Sequence, residues 1–514
     1  RSTLDRSSAA SDVYKRQHLP TETVFADTPL GRIAGLHRQA VCRFRGVPYA
    51  EAPVGALRFC PPRRKTPWTG TLEAFEPGVI APQLASRLLG VMGDFTRPQS
   101  EDCLHLDIAT PGLDDARRPV VVWLHGGGFS SGAGGLDWYD GSLLAGEGDV
   151  VVIGVNYRLG ALGYLCASGI SDGNLGLLDQ ALALCVVRDI AASVGGDPDN
   201  ITLMGQSAGG NSIAALVAGG HPTKGVRRVI LQSAALGMRP QGRDQACALG
   251  AEFVRELGGD PDRPDEIRTW LAERPVSAIL GAQAAIARRH ARFGDTAPPF
   301  QLVQASAGLP DTIAFDHAAA DAMTGIDVLI GVTVDEADAF FALDPRAGEL
   351  DACTLAELVA DLYGPRGVEA LDRMARDGER TPGALLSAVA TQDVFVEPAI
   401  AFASRHAADG GKAYFYEFAW HPAGSPFGAC HCLELPFVFA PTQAWRDAPM
   451  LAGADPAELA ELSATIRAAW LDFVRTGRPA AAALPAWPAF GIERKAAMRI
   501  DRRSTIRELT GDPC

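Results

Sequence analysis

The first half of the chain alternates short apolar runs with stretches in which apolar residues recur at helical spacing. Residues 120–124 and 150–155 are almost continuously apolar, which is typical of strands buried on both faces. Apolar residues then recur every three to four positions over residues 175–185, and glycines and a proline follow before the apolar run 201–204. This alternation predicts βαβ units and a central, mostly parallel sheet flanked by helices, an α/β fold.

The second half of the chain continues the same pattern with one long helical stretch. Further strands are predicted at residues 229–232, 327–331 and 413–418. A late helix over residues 459–473 ends before Gly477 and Pro479. Residues 340–395 are rich in Ala, Leu and charged side chains, and they predict helical cap insertions over the sheet. Because the chain has no internal repeat and no long linker, residues 18–514 are predicted to form one domain.

Composition and charge narrow the class of protein. The 514 residues are 47% hydrophobic and 21% charged, as expected for a globular protein with a large core. A net charge of −14 without any Lys/Arg block argues against nucleic acid as a partner. No uncharged apolar run approaches the roughly 18 residues of a membrane span, so none is predicted. Residues 1–17 look like a technical scar of a sequencing library and lack the apolar core of an export signal.

The ten cysteines show no repeated C-x-x-C spacing, which argues against zinc and dithiol sites. Cys430-His431-Cys432 has no second cluster of ligands beside it. We therefore predict no metal and no cofactor.

A serine motif lies between a predicted strand and a predicted helix. Gly205-Gln206-Ser207-Ala208-Gly209 fits G-x-S-x-G after strand 201–204 and before the helix at 212–217. In that context the motif is a tight turn that exposes a nucleophilic hydroxyl, and the glycines permit close backbone packing. Ser207 is therefore the candidate nucleophile, and the motif predicts an α/β-hydrolase fold.

A glycine run supplies a candidate site for a developing oxyanion. His125-Gly126-Gly127-Gly128 follows the strand 120–124 and resembles the HGGG-type motif, in which backbone N–H groups face the carbonyl oxygen. No GK[ST] follows, which argues against a phosphate loop. The predicted backbone donors are Gly127, Gly128 and Ala208.

The base and the acid must come later in the chain than Ser207. His431 is the best placed histidine, and His421 competes with it because both follow the strand 413–418. Three carboxylates follow the strand 327–331, and position alone leaves the choice open: Asp335, Glu336 and Asp338.

These features, with several further motifs in order, resemble the type-B carboxylesterase family, which includes bacterial para-nitrobenzyl esterases, mammalian carboxylesterases and cholinesterases. The resemblance covers nearly the whole chain after about Thr21. The motifs are FRGVPYAE at 44–51, LRF at 57–59, EDCLHLD at 101–107, NLGLLDQ at 174–180 and GGDP at 195–198.

The resemblance implies that Glu336 is the acid and His431 the base. It also implies acylation of Ser207 by a small-molecule ester, release of an alcohol, and hydrolysis of the acyl-enzyme by water. The expected substrates are short- to medium-chain acyl or aryl esters. The alternatives are an inactive member that serves as an interaction scaffold, and a hydrolase of amides, carbamates or lactones with the same triad.

The sequence also departs from the family pattern. Gln206 replaces the Glu that often precedes the nucleophile, and Ala337 replaces the usual Gly after the acid. Phe95 stands in the segment where cholinesterases place a Trp, so a choline-ester specialist is not expected. Cys103 lacks the upstream partner that secreted members use, which favours a cytoplasmic location. We expect a monomer.

Overall fold

A long twisted sheet forms the frame of the molecule. The computed structural model describes residues 22–509 except 312–314, 377, 379 and 441–442. The proposed scar at residues 1–17 lies outside the described residues. The strands are β1 Glu22–Thr28, β2 Gly31–Arg38, β3 Val41–Pro48, β4 Thr71–Glu73, β5 His105–Thr110, β6 Arg118–Leu124, β7 Val151–Val155, β8 Cys166–Ala167, β9 Ser171–Asp172, β10 Gly196–Gln206, β11 Val226–Gln232, β12 Asp327–Thr333, β13 Ala413–Phe418, β14 Ala496–Ile500 and β15 Thr505–Glu508.

The sheet has a parallel centre and antiparallel edges. Its order is β1-β2-β3-β5-β7-β6-β10-β11-β12-β13-β14-β15, with β4 beside β2 and with β8 and β9 in a separate pair. All neighbours from β7 to β14 are parallel, whereas β1 to β5 and β15 pair antiparallel along the main order. The predicted mostly parallel sheet is therefore confirmed, and the carboxyl ends of β6, β10, β12 and β13 share one edge.

Burial on both faces explains the apolar runs that mark the central strands. In β6, Val120, Val122 and Leu124 contribute to one apolar core, while Val121 and Trp123 contribute to a second core on the other side. Successive strand residues point to opposite faces, so a strand between two helical layers has no solvent-facing positions. This is why the parallel strands read as continuous apolar runs.

Helices cover both faces of the sheet and fill the connections between strands. The α-helices are Leu89–Met92, Ser142–Gly148, Gly160–Tyr164, Leu175–Ile190, Ala208–Ala218, Arg243–Glu256, Pro264–Ala272, Val276–His290, Phe315–Ala322, Asp338–Phe341, Pro345–Glu349, Ala352–Arg376, Pro382–Thr391, Glu397–Ala408, Leu435–Val438 and Pro456–Thr476. The last of them ends at Gly477, which adopts the left-handed conformation (φ 75°) typical of a helix end.

The region predicted as a helical cap consists of several helices. Ala352–Arg376 is broken at Gly364 (φ 61°, ψ −156°), next to Pro365. Its two halves and the helix Pro382–Thr391 share a small apolar cluster of their own. This segment leads directly into the turn that contacts His431, described below.

One helical run has the dimensions of a membrane span. Within the described residues, Pro382–Ala408 is long and apolar enough by length and composition, and 61% of its most apolar window is buried inside the fold. It also carries Asp393 and Glu397. A core helix of this length passes the same test, so the predicted lack of a membrane span stays a prediction.

Candidate active site

Ser207 lies on a sharp turn between β10 and the helix Ala208–Ala218. Its backbone is held at φ 53° and ψ −124°, a conformation that side chains other than glycine rarely adopt. A Cβ on Gly209 would lie 2.0 Å from the carbonyl oxygen of Leu124, so only glycine lets the turn pack against the end of β6. The N–H of Ala208 is in the first helical turn, where backbone donors have no partner within their own helix.

The glycine run after β6 is held rigidly beside this turn. Gly127 has φ 111°, and a Cβ there would meet the carbonyl oxygen of Ser131 at 2.1 Å. The Tyr157 hydroxyl donates to the His125 carbonyl oxygen at 2.7 Å, and the two rings stack with centroids 4.3 Å apart. Burial lowers the pKa of His125 to about 4, so its ring is neutral at physiological pH. Gly128 follows with φ 57° and open space on its Cβ side.

Of the candidate acids, only Glu336 contacts His431. Its Oε2 lies 2.5 Å from His431 Nδ1, and both side chains are buried. The Thr333 backbone N–H donates to Glu336 Oε1 at 2.8 Å, so both carboxylate oxygens are held. A carboxylate in this place keeps the imidazole proton on Nδ1 and leaves Nε2 free to accept a proton.

The other two candidate carboxylates have structural contacts. Asp335 Oδ2 accepts from the Ala429 N–H at 2.9 Å, and the Asp335 N–H donates to the Ala429 carbonyl at 3.0 Å. Asp335 therefore ties the loop that carries His431 to the loop that carries Glu336. Asp338 bonds to Ser387, and burial raises its pKa to about 6.

The competing histidine does not reach this cluster. His421 Nδ1 lies 2.9 Å from the carbonyl oxygen of Pro422.

Two aromatic rings lie against the His431 imidazole, and an amide side chain contacts its Nε2 atom. Phe395 and Phe340 lie against the ring with centroids at 5.0 and 5.6 Å. Phe395 comes from the π-helical turn Gln392–Val396, a local geometry often found at functional sites. Nε2 of His431 faces the Gln206 amide nitrogen at 3.1 Å. Within the described part of the chain, Ser207 Oγ makes no hydrogen bond to His431.

A second buried carboxylate lies behind the histidine and was missed at the sequence level. Glu434 is 1% exposed, and burial together with the charge of Glu336 raises its pKa to about 7. It follows His431 by three residues in the same loop, and the charge of His431 acts on it. The sequence motif around His431 included it, but position alone gave it no role.

The described residues hold no group of three or more His, Cys, Asp or Glu placed to bind a metal ion. The nine cysteines within them are all free thiols.

The sheet and the serine turn together define an α/β-hydrolase, and comparison with known proteins gives the family. A family model described as the carboxylesterase family matches residues 22–512, so the chain belongs to the carboxylesterase family. It is a carboxylic ester hydrolase.

Similar proteins cover almost the whole chain. A probable N-octanoylanthranilate hydrolase of Rhodococcus erythropolis is 41% identical over 91% of this chain and 95% of its own length. The para-nitrobenzyl esterase of Bacillus subtilis is 37% identical over 93% and 95%. A solved para-nitrobenzyl esterase structure has a TM-score of 0.83 at 34% identity, covering 94% of this chain and 97% of its own.

Proposed function

We propose that this esterase cleaves short- to medium-chain acyl or aryl esters through an acyl-enzyme on Ser207. The contact of 2.5 Å between His431 Nδ1 and Glu336 Oε2 carries this proposal, because it fixes a buried base beside the serine turn. In the proposed mechanism His431 is the general base, Glu336 orients it, and the oxyanion accepts hydrogen bonds from the backbone N–H groups of Gly127, Gly128 and Ala208.

In each half of the proposed reaction, His431 takes up one proton and gives it back. Ser207 Oγ attacks the ester carbonyl carbon as its proton moves to His431 Nε2. Collapse of the tetrahedral intermediate breaks the bond to the alcohol oxygen, which takes that proton from Nε2. Water then attacks the acyl-enzyme, gives its proton to Nε2, and the proton returns to Ser207 Oγ as the acid leaves.

The first test is hydrolysis of p-nitrophenyl acetate, butyrate, octanoate and palmitate by the wild type and by Ser207→Ala. We expect turnover of the shorter esters and a loss of 10⁴-fold or more, as an order of magnitude, in the variant. The matched control is Ser212→Ala, a buried serine within the helix that follows Ser207, which should keep near wild-type activity. Circular dichroism confirms that all three proteins are folded.

Equal rates in the wild type and Ser207→Ala would contradict the proposed nucleophile. Folded wild type without any turnover would instead favour the scaffold alternative.

A second candidate function is hydrolysis of N-acyl aryl amides. The supporting observation is the 41% identity to a probable N-octanoylanthranilate hydrolase. The same nucleophile and oxyanion site serve both reactions, and the difference lies in protonation of the leaving nitrogen. The test is kcat/KM for N-octanoylanthranilate against p-nitrophenyl octanoate. A ratio in favour of the amide would make the amide the primary substrate class.

We further propose that residues 340–395 cap the site. Support comes from Phe395 against the His431 ring and from the bond of 3.0 Å between the Ala337 N–H and Thr391 Oγ1. Both contacts join the segment to the two proposed catalytic loops. The cytoplasmic location and monomeric state stay predictions, which cell fractionation and light scattering test.

A further inference from the structure

The residue before the nucleophile contacts the nitrogen that must receive the proton. Gln206 is 1% exposed, and its Nε2 lies 3.1 Å from His431 Nε2. With the imidazole proton on Nδ1 toward Glu336, His431 Nε2 presents a lone pair, which accepts the Gln206 N–H. Gln206 thus occupies the lone pair that the Ser207 proton has to reach, so this hydrogen bond has to break before the proton can transfer.

A strained cysteine supplies the second contact of this amide. Gln206 Nε2 lies 3.3 Å from Cys432 Sγ, and Cys432 adopts φ 74°. A side chain in that left-handed region costs energy, and such strain is concentrated at functional sites. Burial raises the pKa of Cys432 well above its ordinary value, so the residue stays a thiol that can accept or donate a weak hydrogen bond.

Proton transfer changes His431 Nε2 from a hydrogen-bond acceptor to a hydrogen-bond donor. Once Nε2 carries the Ser207 proton, it becomes a donor, and a Gln206 N–H directed at it would be repelled. An amide has donors on one end and an acceptor on the other, so a rotation of the amide presents Oε1 to the imidazolium. A thiol can follow this change by turning from acceptor to donor.

We propose that Gln206 is a positioning residue for His431 that reverses its hydrogen bonding when the histidine gains a proton, with the Cys432 thiol reversing alongside it. The inference rests on the proposed roles of Ser207 and His431. The proton travels only from Ser207 Oγ to His431 Nε2 and on to the leaving oxygen. Gln206 and Cys432 gain and lose no proton, and the amide offers a donor to the neutral imidazole and an acceptor to the charged one.

Other ionisable groups near His431 could also shift the pH profile, so their titration must be distinguished from the effect of Gln206. Glu336 faces Nδ1, Glu434 interacts with both Glu336 and His431, and Asp338 begins the short helix that follows Glu336. The rings of Phe340 and Phe395 are neutral. Asp338 and Glu434 both have a pKa raised into the range of a histidine, to about 6 and about 7. Because Glu434 also interacts directly with His431, the experiment includes a Glu434→Gln background.

The test is the pH profile of kcat/KM for p-nitrophenyl butyrate in Gln206→Glu and Gln206→Met. Glu can only accept, so it favours the imidazolium and should move the acidic limb upward by about one pH unit. Met cannot donate and accepts only weakly, so the plateau of kcat/KM should fall about tenfold without that upward movement of the acidic limb. Gln283→Glu is the matched control, because Gln283 is also buried but accepts from the Ala161 N–H; its acidic limb should match the wild type.

Variants of Cys432 separate the thiol from the strain. Cys432→Ala removes the thiol and keeps the strained backbone, whereas Cys432→Gly removes both. If the thiol acts through Gln206, both variants should lose activity by about threefold, and the losses of Gln206→Met and Cys432→Ala should not multiply in the double variant. Multiplying losses would overturn the pairing.

Failure of this inference can be distinguished from failure of the proposed catalytic triad. An unchanged acidic limb in Gln206→Glu, in both the wild-type and Glu434→Gln backgrounds, would overturn the inference while an inactive Ser207→Ala leaves the triad standing. Full activity in His431→Ala would instead overturn the proposed base, and the inference with it.

Discussion

The two nitrogens of His431 lie in differently built surroundings. On the Nδ1 side, Glu336 is held by the Thr333 N–H, and Asp335 joins the two loops because its carboxylate and its N–H both bond to the backbone of Ala429. On the Nε2 side, the contact comes from the side chain of Gln206, which in turn contacts Cys432, and both of these groups can reverse their hydrogen bonding. The side that only orients the ring is fixed by the backbone, while the side where the proton moves is bordered by adaptable groups.

Substitutions on the fixed side should cause the larger loss of activity. Glu336→Gln leaves the shape but removes the charge that selects the tautomer and stabilises the imidazolium, so kcat/KM for p-nitrophenyl butyrate should fall on the order of 10³-fold. Asp335→Asn keeps an oxygen that accepts from the Ala429 N–H, and should cost less than about tenfold. Equal losses in two folded variants would contradict the assignment of Glu336.

The parallel centre of the sheet was predictable because its strands are buried on both faces. The predicted strand 413–418 coincides with β13, and the predicted residues 120–124 lie within β6. The strands β1 to β5 gave no such signal. Much of β1 is exposed to solvent, and β4 is only three residues long. Register between half-exposed strands depends on neighbours far away in sequence.

The site was predictable only in part. The serine motif could be identified from local sequence, whereas the contacts on both sides of His431 could not. Turn chemistry around Ser207 is local, so the motif identified it directly. The choice among Asp335, Glu336 and Asp338 depends on which side chain turns inward, and spacing left it open. The contact between Gln206 and His431 joins residues 225 positions apart and depends on side-chain rotamers, for which the sequence carries no pattern.

The buried Glu434 offers a way to test the charge around His431 through the stability of the fold. Its pKa is raised from 4.5 to about 7 in the folded protein, so the folded state binds more protons than the unfolded state between these values. The free energy of unfolding should therefore decrease as pH rises through this window. Urea unfolding of Glu434→Gln, compared with the wild type, should show a relative gain of about 2 kcal/mol on going from pH 5 to pH 8.

The control for that measurement is the exposed Glu493→Gln, which should keep the wild-type pH dependence. If Glu434→Gln also keeps it, Glu434 is ionised in the folded protein at all these pH values, and the site then holds two negative charges near His431.

The smallest effect is expected on the glycine run beside Ser207. Tyr157→Phe removes the hydroxyl that donates to the His125 carbonyl and keeps the stacked ring, so the oxyanion glycines keep their place but lose one restraint. We expect kcat to fall about fivefold with little change in KM, because the restraint matters most where charge develops in the transition state. Tyr414→Phe, on β13, is the control. A loss as large as that of Glu336→Gln would mean that the nucleophile side is as rigidly fixed as the acid side, whereas unchanged kcat would mean that the glycine run is held by its own backbone contacts.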